Sequence, residues 1–354
     1  MNFILFSSYI IFLIILSILI RYLPKERYQF IFTIPYKKLE DGRWMGRNIT
    51  YYGFFNALGY TAGTVITTVF LLSYGLNFIQ IFLMILLVFI ICIPSSKLLA
   101  YFIEKSPHGF TVGGAVFVGV LVLPVAIYLS LKLTNSSIEF KKILLPVYAV
   151  ISIGYLVGEG IGRLGCLSFG CCYGKAITEV KSNLLKKVFE RFYTVFYGEC
   201  KKISYASGGC GVKTVPVQPI AILLYITTSF ISILMILNGF IVTAILTTTL
   251  VSQLYRFYSE FFRSDYRGKG KISSYQKMAL LNILIISAYC YIFHDNTNTF
   301  DIQKGLPEFL SLQFFILVGT VFIVTFLYTG LSTATYSVIE FKVVDKLKQL
   351  PQKS

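Results

Sequence analysis

The sequence predicts an all-α multi-pass membrane protein with about nine transmembrane helices and a small polar head region. Only 14% of the 354 residues are charged and 56% are apolar, whereas about a quarter of a soluble protein is charged. The apolar runs are about 20 residues long, which is the length that a helix needs to cross the hydrocarbon core. Backbone groups in lipid must be hydrogen-bonded internally, and runs of this length exclude the shorter strands of a membrane barrel.

Nine apolar runs give the predicted spans. Their boundaries are approximate, and they cover roughly residues 3–20, 51–74, 77–102, 110–133, 143–165, 217–237, 239–257, 276–294 and 309–331. The first run has no basic segment before it and no small-residue cleavage site before Arg21. We therefore interpret it as a retained span and not as a signal peptide.

The runs divide the chain into a core and two additions. Residues 1–50 are predicted to add an N-terminal span and a basic interfacial connector, and 295–354 to add a C-terminal span and a basic tail. The helical core covers 51–294, and its head region at 166–216 is the only sizeable polar stretch. The pairs Gly59/Gly63 and Gly158/Gly162 are small residues that allow helices to approach closely.

The net charge of +16 does not indicate a nucleic-acid partner. The lysines and arginines lie between the apolar runs, where such residues orient spans and meet anionic lipid. Most of them lie in the loops at 21–50, 166–216 and 258–275 and in the tail, which alternation of the spans puts on one face. The positive-inside rule predicts that this face is cytoplasmic.

Two arginine–glutamate pairs occur at helical spacing near the ends of spans: Glu159 with Arg163, and Arg256 with Glu260. A charge at mid-bilayer costs about 2.5–3.5 kcal/mol, so such groups are expected to face the bundle interior. The planar arginine fork suits phosphate, and two converging arginines predict a phospholipid head-group site. The alternative is that the charges neutralise one another at the interface and only join the helices.

Three of the seven cysteines, Cys166, Cys171 and Cys172, surround a glycine-rich turn that ends the fifth span. One interpretation is a nucleophilic thiolate favoured by Arg163. A metal site is disfavoured because the usual paired spacing is missing, so we predict no metal. Structural cysteines remain the simplest interpretation. His108 precedes the fourth span and is the only histidine predicted near this face.

Four stretches together resemble one family, the prolipoprotein diacylglyceryl transferases. Gly162-Arg-Leu-Gly-Cys-Leu-Ser-Phe-Gly-Cys-Cys-Tyr-Gly174 resembles the signature G-R-x-G-N-F-x-N-x-E-x-x-G, and more closely a branch that reads G-R-x-G-C-F-x-x-G-C-C-x-G. Tyr51-Tyr-Gly-Phe-Phe55 resembles the W-Y-G opening of a helix, and Pro216-Val-Gln218 resembles P-S-Q. Arg256-Phe-Tyr-Ser-Glu-Phe-Phe-Arg-Ser-Asp265 is similar to R-x-x-x-E-F-x-R-x-x-D. The resemblance covers roughly 49–294.

The resemblance implies a transferase of the bacterial inner membrane that uses no cofactor. It would move diacylglycerol from phosphatidylglycerol to the thiol of a lipobox cysteine in a prolipoprotein, with glycerol phosphate as the leaving group. The implied catalytic residues are Arg163 and Arg256 at the phosphate and Glu260 supporting Arg256. His108 is predicted as the base from its position near this face, and not from a family motif. The implied substrate-binding residues are Tyr52, Gly113, Gly114, Gly174, Gln218 and Arg263.

The chain departs from the family pattern at polar positions. The two asparagines, the glutamate and the histidine before P-S-Q are replaced by Cys166, Phe169, Cys171 and Val215, and H-G-G reads Val112-Gly113-Gly114. Another lipid or acceptor is therefore an alternative, as is a cysteine-dependent acyl or thiol transferase of the same fold. A non-catalytic phospholipid-binding or transport protein is the third. The family also places its active site outside the cytoplasm, which leaves the orientation open.

Overall fold

The computed structural model describes residues 2–105, 111–264, 272–294, 300–305 and 307–343. The described helices, in chain order, are α1 (Asn2–Tyr22), α2 (Tyr51–Ser73), α3 (Phe78–Glu104), α4 (Val112–Leu133), α5 (Phe140–Phe169), α6 (Asn183–Phe189), α7 (Lys202–Ser207), α8 (Val217–Leu237), α9 (Ile241–Ser259), α10 (Ser274–Ile292), α11 (Ile302–Gly305) and α12 (Leu312–Gly330). The strands are β1 (Phe30–Lys38), β2 (Trp44–Thr50), β3 (Thr194–Val195), β4 (Lys213–Thr214) and β5 (Leu331–Ile339).

The predicted class, a multi-pass helical membrane protein, is confirmed. In the described part of the chain, seven helices are long and apolar enough to cross a membrane: α2, α3, α4, α5, α8, α10 and α12. Helix α1 contributes a shorter apolar segment, Phe6–Tyr22. The predicted number of nine is therefore approximate.

Helix α5 lies at the centre of the bundle and is the most buried of the spans. It packs against α2, α8 and α9. The contact with α2 is made by glycines, because a Cβ atom at Gly59 would clash with the carbonyl oxygen of Gly158. Gly63 meets Gly154 in the same way one turn further on. Two backbones thus lie in direct contact, as the small residues at these positions predict.

Helix α9 is the most polar of the long helices, and its polar side chains face the interior of the bundle. Its buried side chains include Thr248, Ser252, Gln253 and Arg256. The Thr248 hydroxyl lies 2.9 Å from the Ser152 hydroxyl of α5, and it also donates to carbonyls of its own helix. Polar groups inside a membrane bundle need such partners. The inward position of α9 brings Arg256 to α5.

A three-stranded antiparallel sheet joins the two ends of the chain, and the predicted all-α fold did not include it. The strand order is β1–β2–β5, so the connector after α1 pairs with the segment after α12. Asn48 is fully buried in this sheet, where its Oδ1 accepts from Thr33 at 2.8 Å and from Ser337 at 2.6 Å. Pairing between segments nearly 290 residues apart leaves no local pattern in the sequence.

Helix α5 extends to Phe169, beyond residue 166 at which the head region was predicted to begin. Lys201 fixes the head region to the bundle with a side chain that is fully buried. Its Nζ donates to the Ser168 carbonyl at 2.6 Å and to the Leu23 carbonyl at 3.3 Å. The ammonium group thereby satisfies backbone carbonyls that the ends of α5 and α1 leave without a helical partner. Burial lowers the pKa of Lys201 from 10.5 to about 8.

Candidate functional site

Two arginines from different helices converge on one glutamate in the bundle interior. Arg163 of α5 lies 2.5 Å from Glu159 through Nη2, and Arg256 of α9 lies 2.9 Å from the same carboxylate through its own Nη2. Tyr155 donates its hydroxyl to Glu159 and accepts from Arg256 Nη2 at 2.6 Å. We call these four residues the arginine cluster. The predicted Glu159–Arg163 pair is confirmed.

The arginine cluster is buried and carries a net positive charge. The exposed fractions of the side chains are 5% for Glu159, 14% for Arg163 and 10% for Arg256. Two cations share one carboxylate, and the Nε of Arg256 is buried without a hydrogen-bond partner. Leaving a buried donor unpaired costs about 1–3 kcal/mol, more when the group is charged. The cluster is therefore suited to an additional anion.

The predicted pair of Arg256 with Glu260 is wrong. Helix α9 ends at Ser259, and Glu260 opens a short 3₁₀ turn that reaches Phe262. Glu260 Oε1 lies 3.8 Å from Arg263 Nη1. Arg256 bonds Glu159 of α5 instead. The spacing on α5 predicted Glu159 as the partner of Arg163, but not the second arginine, which comes from another helix.

Gly113 borders the arginine cluster. A Cβ atom at this position would lie 2.8 Å from Arg256 Nη1 and 3.4 Å from Tyr275 Cδ1. A Cβ at Gly114 would meet Leu99 instead. Of the paired glycines Gly113 and Gly114, both predicted to bind substrate, Gly113 is therefore the one next to an arginine. The predicted base, His108, lies outside the described residues.

A tight turn brings three thiols together at the end of α5. Gly170 adopts a left-handed conformation with φ of 72°, and the Cys171 N–H bonds the Cys166 carbonyl at 3.2 Å. This six-to-one bond is typical of the Schellman motif, which places the residue after the glycine against the last helical turn. Cys172 also has a positive φ of 55°. The Sγ atoms of Cys166, Cys171 and Cys172 consequently lie within 4.8 Å of one another.

Residues from three segments hold this turn in place. Gln218 is buried and donates Nε2 to the Cys171 carbonyl at 2.8 Å. The backbones of Gly174 and Arg263 form an antiparallel β-bridge, and the Ser264 N–H donates to the Tyr173 carbonyl at 3.1 Å. A Cβ at Gly174 would clash with the Val215 backbone. Gly174, Gln218 and Arg263 are thus brought together, as their predicted assignment to one site requires.

Tyr52 lies at the same end of α5, near the thiols of Cys166, Cys171 and Cys172. Its ring packs against Phe169 with the centroids 5.5 Å apart. A Cβ at Gly165 would lie 2.9 Å from the Tyr52 carbonyl oxygen, so the first turn of α2 rests directly on α5. Asn56, which the sequence analysis did not single out, donates to the same carbonyl at 2.7 Å.

The three thiols differ in acidity. Hydrogen bonds from Cys166 and Cys171 hold the pKa of Cys172 well below its usual value, and the charges of Arg263 and Arg163 act in the same direction. Hydrogen bonds to the other two thiols raise the pKa of Cys171. Cys172 is therefore the thiol that ionises first. Arg163 influences this thiol and also belongs to the arginine cluster, so the two groups lie side by side.

Fold and geometry define a multi-pass helical membrane protein with a cationic site buried between its helices, next to a thiol-rich turn. Comparison with known families assigns it more closely. The family model described as prolipoprotein diacylglyceryl transferase matches residues 43–293, and the chain belongs to this family. A search of curated proteins gives no significant match. The resemblance of the motifs to this family is thereby confirmed, while the closer likeness to its cysteine-containing branch stays a prediction. The family's reaction is a transfer in lipoprotein biosynthesis at a membrane.

Proposed function

We propose that this protein transfers a diacylglyceryl group from phosphatidylglycerol to the cysteine thiol of a lipobox-type prolipoprotein, in the bacterial inner membrane. The observation that carries the proposal is the convergence of Arg163 and Arg256 on the single carboxylate of Glu159. The family supports the reaction class. The resemblance of the motifs implies phosphatidylglycerol as the lipid donor, and the net positive charge of the site supports an anionic lipid.

The arginine cluster matches an anionic lipid in charge and in hydrogen-bonding capacity. Its one excess positive charge is balanced by the single negative charge of a phosphatidylglycerol phosphate. The unpartnered Nε of Arg256 is a donor to which such a phosphate adds an acceptor. Arginine–phosphate bonds are charge-assisted and can be bidentate, which also orients the ligand.

The two arginines also serve the chemical step. The thiol sulfur attacks the glyceryl carbon that bears the phosphate, a carbon–sulfur bond forms, and the carbon–oxygen bond breaks. Its electron pair leaves with glycerol phosphate, and the thiol proton passes to water. Negative charge therefore grows on the leaving group beside Arg163 and Arg256. Removing one such fixed donor typically lowers the rate by about 10²–10³.

We assign supporting roles to the other predicted residues. Gln218, Gly174 and Arg263 position the turn that ends α5, and Glu260 acts through Arg263. Tyr52 packs against Phe169 at the end of α5. The predicted acid–base role of His108 and the substrate contact of Gly114 remain proposals. We further propose that residues 51–294 form the catalytic core and that 1–50 and 295–354 are additions to it.

The test is a transfer assay with purified protein in vesicles of phosphatidylglycerol and a lipobox peptide, with the thioether product measured by mass spectrometry. Arg163→Lys and Arg256→Lys keep the charge but remove the fork. Each should lower the rate about 100-fold. Arg191→Lys is the matched control, because this arginine is exposed in the head region. Absence of transfer by the wild type, or equal rates for the three variants, would contradict the proposal.

The three converged thiols favour a second candidate, a transferase of the same fold that carries the lipid group covalently on a cysteine. Cys172 is the nucleophile in that case, because it ionises first. Trapped protein should then carry a lipid adduct that is missing in Cys172→Ser and present in Cys200→Ser, where the cysteine is exposed. Binding of phosphatidylglycerol without any turnover would instead indicate a carrier.

A further inference from the structure

Cys166, Cys171 and Cys172, which we call the thiol cluster, are not used by the proposed phosphate site. Their spacing in the sequence predicted no metal, but the structure brings their sulfur atoms together. The three sulfur atoms lie within 4.8 Å of one another, on a helix end and a turn that backbone and side-chain hydrogen bonds hold in place. Zinc–thiolate bonds of about 2.3 Å in a tetrahedral site need sulfurs about 3.8 Å apart. The sulfur atoms therefore need to approach one another by about 1 Å to bind an ion, and side-chain rotation is enough for such a movement.

The backbone of the turn is shaped for this convergence. A left-handed conformation costs a residue with a side chain about 1–2 kcal/mol, and Cys172 adopts one, with φ of 55°. Such strain persists where the surroundings over-determine it, and it is concentrated at functional sites. The strained residue is one of the three whose sulfur atoms converge.

We propose that Cys166, Cys171 and Cys172 hold a Zn²⁺ ion whose open fourth position binds the acceptor thiol of the peptide. Three soft thiolate donors suit zinc and not magnesium or calcium, which take oxygen ligands. Three protein ligands with one open position are the arrangement of catalytic zinc sites. Three thiolates and Zn²⁺ leave one negative charge, and Arg163 and Arg263 supply positive charge beside it. The identity of the fourth ligand rests on the proposed function.

The zinc site would supply the nucleophile. A thiol loses its proton when it coordinates zinc, and here the proton passes to water at the membrane surface. The zinc-bound thiolate then forms the carbon–sulfur bond while the glyceryl carbon–oxygen bond breaks, and nothing is oxidised or reduced. The product is a thioether, which is a weaker ligand and leaves the metal. Arg163 precedes Cys166 by three residues and shares its helix face, so phosphate and thiol meet at one place.

The first measurement is the metal content of purified protein. The wild type should retain about one zinc ion per chain, and Cys166→Ser should lose it. Cys200→Ser and Cys210→Ser are matched controls, because both cysteines are exposed in the head region, and they should retain the ion. If Cys166→Ser does not fold, wild-type protein stripped with a chelator and titrated with zinc gives the same information. Failure of the stripped wild type to bind zinc, or retention of zinc by a folded Cys166→Ser, would overturn the proposal.

The second measurement uses Co²⁺ in place of zinc and tests the fourth ligand. A lipobox peptide should strengthen the near-ultraviolet sulfur-to-cobalt band, whereas the same peptide with serine for cysteine should not. An unchanged band with the cysteine peptide would overturn the acceptor role. Transfer at the wild-type rate by chelated protein would overturn the zinc site and leave the proposed function intact. Thiol ligation without transfer from phosphatidylglycerol would support the zinc site and overturn the proposed function.

Discussion

Gly113 is the residue whose substitution tests the arginine cluster most directly. Alanine there would place a Cβ atom 2.8 Å from Arg256 Nη1, while ordinary contacts begin at 3.4 Å. The guanidinium must therefore move by about 0.6 Å, away from the position in which it bonds Glu159. A misplacement of about 1 Å at a reacting centre can cost 10²-fold in rate. We expect Gly113→Ala to lower the transfer rate about 10- to 100-fold, which corresponds to about 1.4–2.7 kcal/mol.

The matched control is Gly119→Ala on the same helix. A Cβ there would lie 3.6 Å from Cys92 Sγ, which is an ordinary contact. Both substitutions replace glycine in a helix, a change that by itself favours folding by about 0.5–1 kcal/mol. Transfer to the lipobox peptide is measured for both variants, with thermal unfolding in detergent to verify folding. Equal rates for Gly113→Ala and Gly119→Ala would refute the assigned position of Arg256.

Three further predictions concern stability, each measured by thermal unfolding in detergent. Gly59→Ala should destabilise the bundle by about 1–3 kcal/mol, because the new Cβ would clash with the Gly158 carbonyl oxygen. Gly319→Ala is the control, because a Cβ there would have nothing within 4 Å. Equal effects of the two substitutions would contradict the close contact of α2 and α5. Glu159→Gln leaves two buried arginines without their carboxylate, so the variant should gain more stability from phosphatidylglycerol than the wild type does, and an equal gain would argue against a phosphate site. Because burial lowers the pKa of Lys201 from 10.5 to about 8, the unfolded chain binds more protons between these values. Wild-type stability should therefore rise from pH 8 to 10.5, and a Lys201→Met variant that shows the same rise would contradict this assignment.

Local spacing was enough to predict some contacts. Gly59 and Gly63 are small residues one turn apart, and they form the helix contact that such residues predict. Glu159 and Arg163 are four residues apart on one helix and form the predicted ion pair. Both are short-range features of a helix whose length and apolarity already define it as a span. In such cases the spacing of the residues along one helix is enough to predict which of them meet.

Long-range pairing was not predictable in the same way. The approach of Arg256 to Glu159 depends on how α9 lies against α5, and spacing within α9 suggested Glu260 instead. The sheet of β1, β2 and β5 depends on the two ends of the chain meeting. The convergence of the three sulfur atoms depends on the left-handed conformation of Gly170. Helix-capping rules indicate a glycine at this position, but they do not predict where the neighbouring side chains will lie.

One face of α5 nevertheless unites the site. Tyr155, Glu159, Arg163 and Cys166 follow one another at intervals of four, four and three residues, which keeps them on one side of a helix. The first three belong to the arginine cluster, and the fourth belongs to the thiol cluster. Three residues of helix rise by about 4.5 Å, so the Cα atoms of Arg163 and Cys166 differ by that height along the axis. A phosphate bound by Arg163 and a thiol held at Cys166 would therefore lie within about one turn of each other along α5. A single helix face thus brings the proposed sites for the donor lipid and the acceptor thiol next to each other, near the end of α5.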